Sequence, residues 1–255
     1  MKIVKFKKTA KSKYKVYLDN GEVISLYEDV IIDNNLLFTK ELDDLLLKKI
    51  NEQNNYVHVY SLALNYISIR MRSINEVKMY LQKKEINSIL IEQTVDKLIK
   101  NGYLNDFNFA KAYVNDQLII SVKGPLKIKK ELLNYGINSD IVDEVIDEID
   151  ILYLKEKLSN LMEKQVRIRK GSANSLKIKL INYFTNLGYN RDMILDELSN
   201  YKLKSDYNKL LKDYNKLYNK YKNKYDKNDL KYFISQKLYS KGYTGDDISE
   251  IIKAL

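Results

Sequence analysis

This sequence predicts a mainly α-helical fold: tandem three-helix repeats stacked in a curved, elongated array behind a small N-terminal β-hairpin or sheet. Three observations carry that prediction. A single proline in 255 residues leaves room for long, unbroken helices. Glu85, Gly136, Gly188 and Gly242 occupy one recurring column, at steps of 51, 52 and 54 residues. The first forty residues lack helical periodicity and instead alternate around a turn signal.

The N-terminal runs IVKFKK and KYKVYLDNGEVISLYEDVII are alternating and β-branched, with DNGE at 19–22 marking a tight turn. From Thr39 the period becomes helical, with Leu42, Leu45, Leu46 and Ile50 on one stripe, and NEQNN at 51–55 reads as a linker. Residues 1–55 thus form a β-rich region plus helix and linker. Repeats of three helices are expected at 56–104, 105–150, 151–201 and 202–255. One such unit buries little surface, so neighbours must stack to share a core.

The recurring column has a physical cause. Beyond a helix end, glycine takes the left-handed conformation at little cost, letting the next helix fold back. Ile86, Ile137, Tyr189 and Tyr243 follow, each preceding a polar cap residue and a short amphipathic stretch. Glu85 departs from the pattern, so its turn is expected to be strained or differently built. Upstream, Ser73 and Glu76 make the S-x-x-E capping box, with Ile74, Val77 and Leu81 on one face. Lys123-Gly124-Pro125 opens a helix with proline where a first turn tolerates it; Ile128, Leu132 and Tyr135 face inward. In 206–226, Tyr207, Tyr214 and Tyr221 repeat every seven residues; an elongated first helix of the fourth repeat and a coiled-coil seam both fit.

Charge is unevenly spread. Residues 1–150 hold 22 Lys and Arg against 22 Asp and Glu, whereas 151–255 hold 22 against 12, so the whole net charge of +10 falls there. Residues 2–15 carry seven lysines and no acid, and 164–179 carry six basic residues and no acid. A polyanionic partner, most often nucleic acid, fits this pattern; a solvated basic face is the plainer alternative. The 22 tyrosines accompany many Lys, Asn and Ile, as an AT-rich genome would produce, and alone say little about base stacking.

The absence of cysteine excludes disulfides and thiolate metal sites. No apolar run suits a signal peptide or membrane span, so a cytoplasmic protein is expected. His58 is the only histidine, and no phosphate-loop, dinucleotide or nucleophile-elbow motif is present. Asp143, Glu144, Asp147 and Glu148 read as a solvated face. The expectation is a protein that is not an enzyme, with no cofactor.

Two stretches are recognisable: ALNYISIRMRSINEVKMYLQKK with IEQTVDKLIKNGYLNDFNFAKAYV, and KGPLKIKKELLNYGI. Their elements are Ala63-Leu64, Arg70-x-Arg72-Ser73-x-x-Glu76, Gly102-Tyr103-Leu104-x-Asp106, Phe109-Ala110 and Lys123-Gly124. Together they resemble the RecX family of bacterial recombinase regulators, most strongly over 60–150. The β-rich start and fourth repeat look like the family's longer members. Asn105 departs from the family, which usually has a second acidic residue beside Asp106.

The resemblance implies a protein that binds the nucleoprotein filament of the RecA recombinase along its groove. Such a protein reduces ATPase and strand exchange and limits filament growth in recombination, DNA repair and the SOS response. The partners expected are the RecA filament and single- or double-stranded DNA without sequence preference, the protein being a monomer. A sequence-nonspecific DNA-binding protein or helix-turn-helix-like transcription regulator is the alternative; a helical scaffold for another protein is a third. The expected contact residues are Arg70, Arg72 and Lys78 in repeat one, and Lys123, Lys127 and Lys130 in repeat two. Repeat three adds Arg167, Arg169, Lys170, Lys177 and Lys179. For Arg70 and Arg72, favourable charge–dipole interaction with a helix C-terminus is the competing role. Turn and cap roles fall to Ser73, Glu76, Gly102, Asp106, Ala110, Gly136, Gly188 and Gly242. Either Asn105 or Asp106 caps the following helix, with Phe107, Ala110 and Val114 facing a shared core.

Overall fold

The computed structural model describes every residue but Lys11, Lys40 and Leu255. The chain divides into two compact units, Met1–Ala110 with Asn134–Ile141, and Lys111–Leu133 with Val142–Leu255.

In the first unit, β1 (Ile3–Ala10), β2 (Lys13–Leu18) and β3 (Val23–Tyr27) form an antiparallel sheet in that order. The DNGE segment closes the β2–β3 turn with Gly21 at φ +86°. The strand pattern stops at Tyr27: EDVII, expected within the β region, forms a short helix, α1 (Glu28–Asp33). Ile3, Val16, Leu18, Leu26, Val30 and Ile50 bury one face of the sheet against this helix and the start of the next.

That next helix is α2 (Asp44–Ile67), 24 residues long, and it corrects the reading of 51–55 as a linker. NEQNN lacks proline and glycine, and its side chains are used: Asn54 bonds Tyr27 N–H and Ser25 C=O, occupying the outer edge of β3. Leu42, expected on the same helical stripe, instead precedes the helix and bonds Met1 C=O through its N–H at 2.7 Å; Leu45 is 82 % exposed, so the stripe keeps Leu46 and Ile50. Val59 and Ala63 on α2 pack with α3 (Ile74–Gln82) and α4 (Ser88–Lys100) through Val77, Leu81, Val95 and Leu98.

The helices α5 (Asp106–Ile120), α6 (Pro125–Asn134) and α7 (Ser139–Asp147) follow, then α8 (Ile151–Ile168), α9 (Ala173–Asn186) and α10 (Arg191–Ser199). The last three are α11 (Tyr207–Tyr221), α12 (Lys227–Ser240) and α13 (Gly245–Ala254). The tyrosine-rich 206–226 segment ends its helix at Tyr221. It packs as a member of a three-helix set, with Leu210 and Tyr214 against Leu230, Ile234, Leu238 and Ile251. No helix is long and apolar enough to cross a membrane, among the described residues.

All four residues of the recurring column are left-handed: Gly136 at φ +77°, Gly188 at +89°, Gly242 at +86°, and Glu85 at +59°. Glu85 therefore stores the strain that a side chain adds in this region. Behind each turn the helix end is closed by bonds such as Gly188 N–H to Thr185 C=O (2.9 Å) and Tyr189 N–H to Phe184 C=O (3.1 Å).

These turns make a repeated joint. The start of α3 meets the end of α6, where Ser73 Oγ donates to Tyr135 C=O at 2.8 Å. The start of α6 meets the end of α9 through Gly124 N–H to Leu187 C=O (2.7 Å) and Leu126 N–H to Gly188 C=O (3.0 Å). The start of α9 meets the end of α12 through Ser172 Oγ to Lys241 C=O at 2.7 Å. Each joint brings donors at one helix's N-terminus to carbonyls at another's C-terminus, satisfying groups that helices leave open and aligning their dipoles favourably.

The N–H at the first helical position is also accounted for. Ile74 N–H donates to Asp106 Oδ1 (2.9 Å), and Ala173 N–H to Ser205 Oγ (3.0 Å), whose hydroxyl donates to Asp247 Oδ2. At the middle joint the corresponding residue is Pro125, which has no N–H to satisfy.

Candidate basic interface

Asn105 caps α5, its Oδ1 accepting from Asn108 N–H at 2.9 Å. Asp106 instead holds the start of α3, so the two residues divide the capping work between two helices. Phe109, Ala110 and Val114 are buried, while Phe107, expected in the core, is only half-buried; Phe109 meets Tyr135 edge-on. Ala110 is fully covered, and the exposed Gly102 turns left-handed at φ +74° in open space.

Burial raises the Asp106 carboxyl above the ordinary range, opposed by the Ile74 N–H. A carboxyl raised on folding lowers stability as pH climbs from its unfolded value through its folded one. Asp106→Asn keeps the acceptor without the buried charge. Its thermal midpoint at neutral pH is expected to equal or exceed the parent's, the advantage vanishing in acid below the unfolded carboxylate range. A variant less stable at neutral pH than at acid pH, relative to the parent, would contradict this.

The candidate basic residues of repeat one, Arg70, Arg72 and Lys78, are paired within the fold. Glu76 gathers the arginines: Arg70 reaches it at 2.6 Å and Arg72 at 3.5 Å, while Glu76 also accepts from Ser73 N–H at 3.1 Å and Ser73 Oγ accepts from Glu76 N–H. The capping box is therefore an ionic hub at the start of α3. The Arg72 guanidinium lies 4.1 Å over the Tyr66 ring, which stacks on Tyr80 at 4.1 Å, and Arg72 Nε is buried with no partner among the described residues. Lys78 pairs with Glu92 at 2.7 Å.

In repeat two, Lys123 pairs with Glu131 at 2.7 Å, and the same carboxylate accepts from Tyr113 Oη. Burial alone would raise Glu131; the bonds from Lys123 and Tyr113 outweigh it and hold the carboxyl below its usual value. Lys127 is half-buried, with its backbone against Gly188, and Lys130 is exposed. Repeat three is the most open. Arg167 pairs with Glu163 at 2.5 Å and Lys170 with Asp206 at 3.9 Å, yet their side chains are 74 % and 76 % exposed, and Lys177 and Lys179 are exposed with no ion pair among the described residues. Arg169 is held at 4.6 Å over Tyr183 and bonded to Gln165. The ring platforms Tyr66, Tyr80 and Tyr183 had no sequence signal, because each pairing spans 6 to 14 positions without a motif.

His58 Nδ1 lies 2.9 Å from Tyr27 Oη, and burial with Lys13 nearby lowers its pKa. A groove of about 610 Å³ is lined by Val114, Leu118, Ile119, Val145 and Tyr153, with a Lys111–Glu148 ion pair at its side. No group of three or more His, Cys, Asp or Glu could hold a metal ion among the described residues.

Comparisons with known proteins agree with this architecture. Residues 60–98 match the family model described as RecX, first three-helix domain, and 105–146 match RecX, second three-helix domain. A Bacillus cereus "Regulatory protein RecX" is 33 % identical over 257 aligned residues, 96 % of this chain and 94 % of that protein. A Bacillus thuringiensis protein of the same title shows 33 % identity with the same coverage. Among solved structures, "Crystal structure of RecX from Lactobacillus salivarius" aligns with TM-score 0.55 and 28 % identity, covering 58 % of this chain and 97 % of that one. "Crystal structure of regulatory protein RecX" shares the fold at TM-score 0.66 and 24 % identity, covering 75 % of this chain and 96 % of that one. With two family domains matched in order and its relatives aligned almost end to end, the chain belongs to the RecX family of regulatory proteins.

Proposed function

We propose that this protein is a non-enzymatic regulator that binds the RecA nucleoprotein filament, lowering its ATPase and strand exchange and restricting filament growth. The observation that carries the reading is similarity to RecX regulatory proteins over 96 % of the chain. Units that repeat every fifty or so residues suit a partner that is itself a repeating polymer. The contact falls on the open cations of repeat three, Arg167, Lys170, Lys177 and Lys179, with Lys130 from repeat two. Arg70, Arg72, Lys78 and Lys123 contribute less, because each is paired and more covered, whereas Arg167 and Lys170 stay about three-quarters exposed beside Glu163 and Asp206.

Titrating the protein into a RecA ATPase assay on single-stranded DNA tests this directly. The expected result is a saturable fall in rate. Replacing Arg167, Lys170, Lys177 and Lys179 together by alanine should weaken filament binding about tenfold or more at ~0.1 M salt and flatten its salt dependence. Exposed ion pairs contribute little, so its thermal midpoint should stay within about 2 °C of the parent's. An unchanged ATPase at saturating protein would refute the reading.

A further inference from the structure

Strand alternation sorts the N-terminal sheet into two faces. Val16, Leu18 and Leu26 point into the core, with Phe6, Tyr14 and Ile24 beside them. The opposite face is set by the register: Lys5 lies across from Tyr17, and Tyr17 from Val23; Lys7 lies across from Lys15, and Lys15 from Ser25; Lys13 lies across from Tyr27. This outer face therefore carries Lys5, Lys7 and Lys15 beside the half-buried Tyr17, while its Lys13 end is closed by the buried Tyr27, whose hydroxyl meets His58 on α2; no acidic residue occurs between positions 2 and 18.

The lysines of this face are unneutralised. The ion pairs near the sheet use Lys2 with Glu41 and Lys8 with Glu28. Lys5, Lys7 and Lys15 are exposed and have no ion pair among the described residues, and Lys13 sits 4.5 Å over the Tyr27 ring. Lys7 directly opposes Lys15, an arrangement that repels across the strands. Lysines on an edge strand discourage unwanted strand pairing, which would account for β1. They do not account for Lys15, in the central strand β2.

We propose that the outer face of the N-terminal sheet binds single-stranded nucleic acid, with Lys5, Lys7 and Lys15 on successive phosphates and Tyr17 stacked against an unpaired base. The lysines are spaced at about 5–7 Å across and along the strands, comparable to neighbouring phosphates of an extended strand. A cationic groove combined with an aromatic platform is how sequence-tolerant single-strand binding is built. An anionic membrane supplies charge but no base for the ring. The proposal does not rest on the filament reading: the ATPase titration and the oligonucleotide assay can fail separately.

Fluorescence anisotropy with a labelled oligothymidylate, over a series of salt concentrations, tests the full-length protein. Lys5→Ala, Lys7→Ala and Lys15→Ala combined should weaken binding about tenfold or more and reduce the slope of log K against log salt by about 2, at ~0.7 per phosphate lost. Tyr17→Leu, which keeps apolar packing, should weaken binding at least about fivefold with little change in that slope. Because the triple variant loses mutual repulsion, its thermal midpoint should match or exceed the parent's, separating lost contact from lost fold. Parent protein that does not bind the oligonucleotide would overturn the proposal, as would a triple variant that retains the parent's affinity and slope. Lysine-dependent binding to phosphatidylserine vesicles, with oligonucleotide binding unaffected by the substitutions, would overturn it in favour of a membrane surface.

Discussion

Gly188→Ala should lower stability by about 2–5 kcal/mol, from a backbone penalty of about 1–2 and an overpacking penalty of about 1–3. Gly188 is left-handed at φ +89°, and a Cβ there would lie 2.4 Å from Lys127 N and 2.6 Å from Lys127 Cβ. The neighbour cannot easily withdraw, because Leu126 N–H is bonded to Gly188 C=O and Gly124 N–H to Leu187 C=O. Gly124 faces the same junction, where an added Cβ would come within 2.6 Å of the Gly188 carbonyl. At about 2–4 °C per kcal/mol for a chain of this size, the thermal midpoint should fall by roughly 4–20 °C. Gly102→Ala is the control. Gly102 is also left-handed, at φ +74°, but nothing lies within 4 Å of its added Cβ, so only the backbone penalty of about 1–2 kcal/mol is expected. Equal losses in the two variants, followed by circular dichroism, would show that the joint between α6 and α9 is not packed as described.

Glu76→Ala should cost about 2–4 kcal/mol, more than a surface carboxylate could account for. Its side chain is 15 % exposed and that of Arg72 13 %, so removing the carboxylate strands a mostly buried guanidinium. The same change removes the acceptor for Ser73 N–H and with it half of the capping box. Glu76→Gln keeps that acceptor and should recover about 1 kcal/mol, the worth of a cap, without restoring the ionic contacts. Combining Glu76→Ala with Arg72→Leu should recover more, since the unpaired charge leaves with its partner. Denaturant unfolding of the set measures each step; an alanine variant within about 0.5 kcal/mol of the parent would mean the hub contributes no more than an exposed pair. There is a consequence for function. Lost filament binding in an Arg72 variant has to be read beside its stability, whereas the exposed cations of repeat three test contact alone.

Much of the architecture could be read from residues close together in the chain. The turns after α3, α6, α9 and α12 depend on one backbone conformation at one position, and glycine marks three of them. The Ser73–Glu76 box and the Asn105 cap likewise act within three residues of themselves. The two helix boundaries that sequence misplaced share a cause: EDVII and NEQNN have weak local preference, and packing against neighbouring elements settled both as helix. A hydrophobic period reports which face is apolar but not where an element begins.

Local chemistry thus established a helical repeat chain with a β-rich start, because propensities, caps and turn glycines act over a few residues. Folding settled which cations are paired and which stay exposed. Lys78 meets Glu92 fourteen residues away, Lys111 meets Glu148 at thirty-seven, and Ile74 is held by Asp106 at thirty-two. Coulomb attraction and hydrogen bonding depend on distance through space, and one-dimensional spacing says nothing of that until the helices have docked.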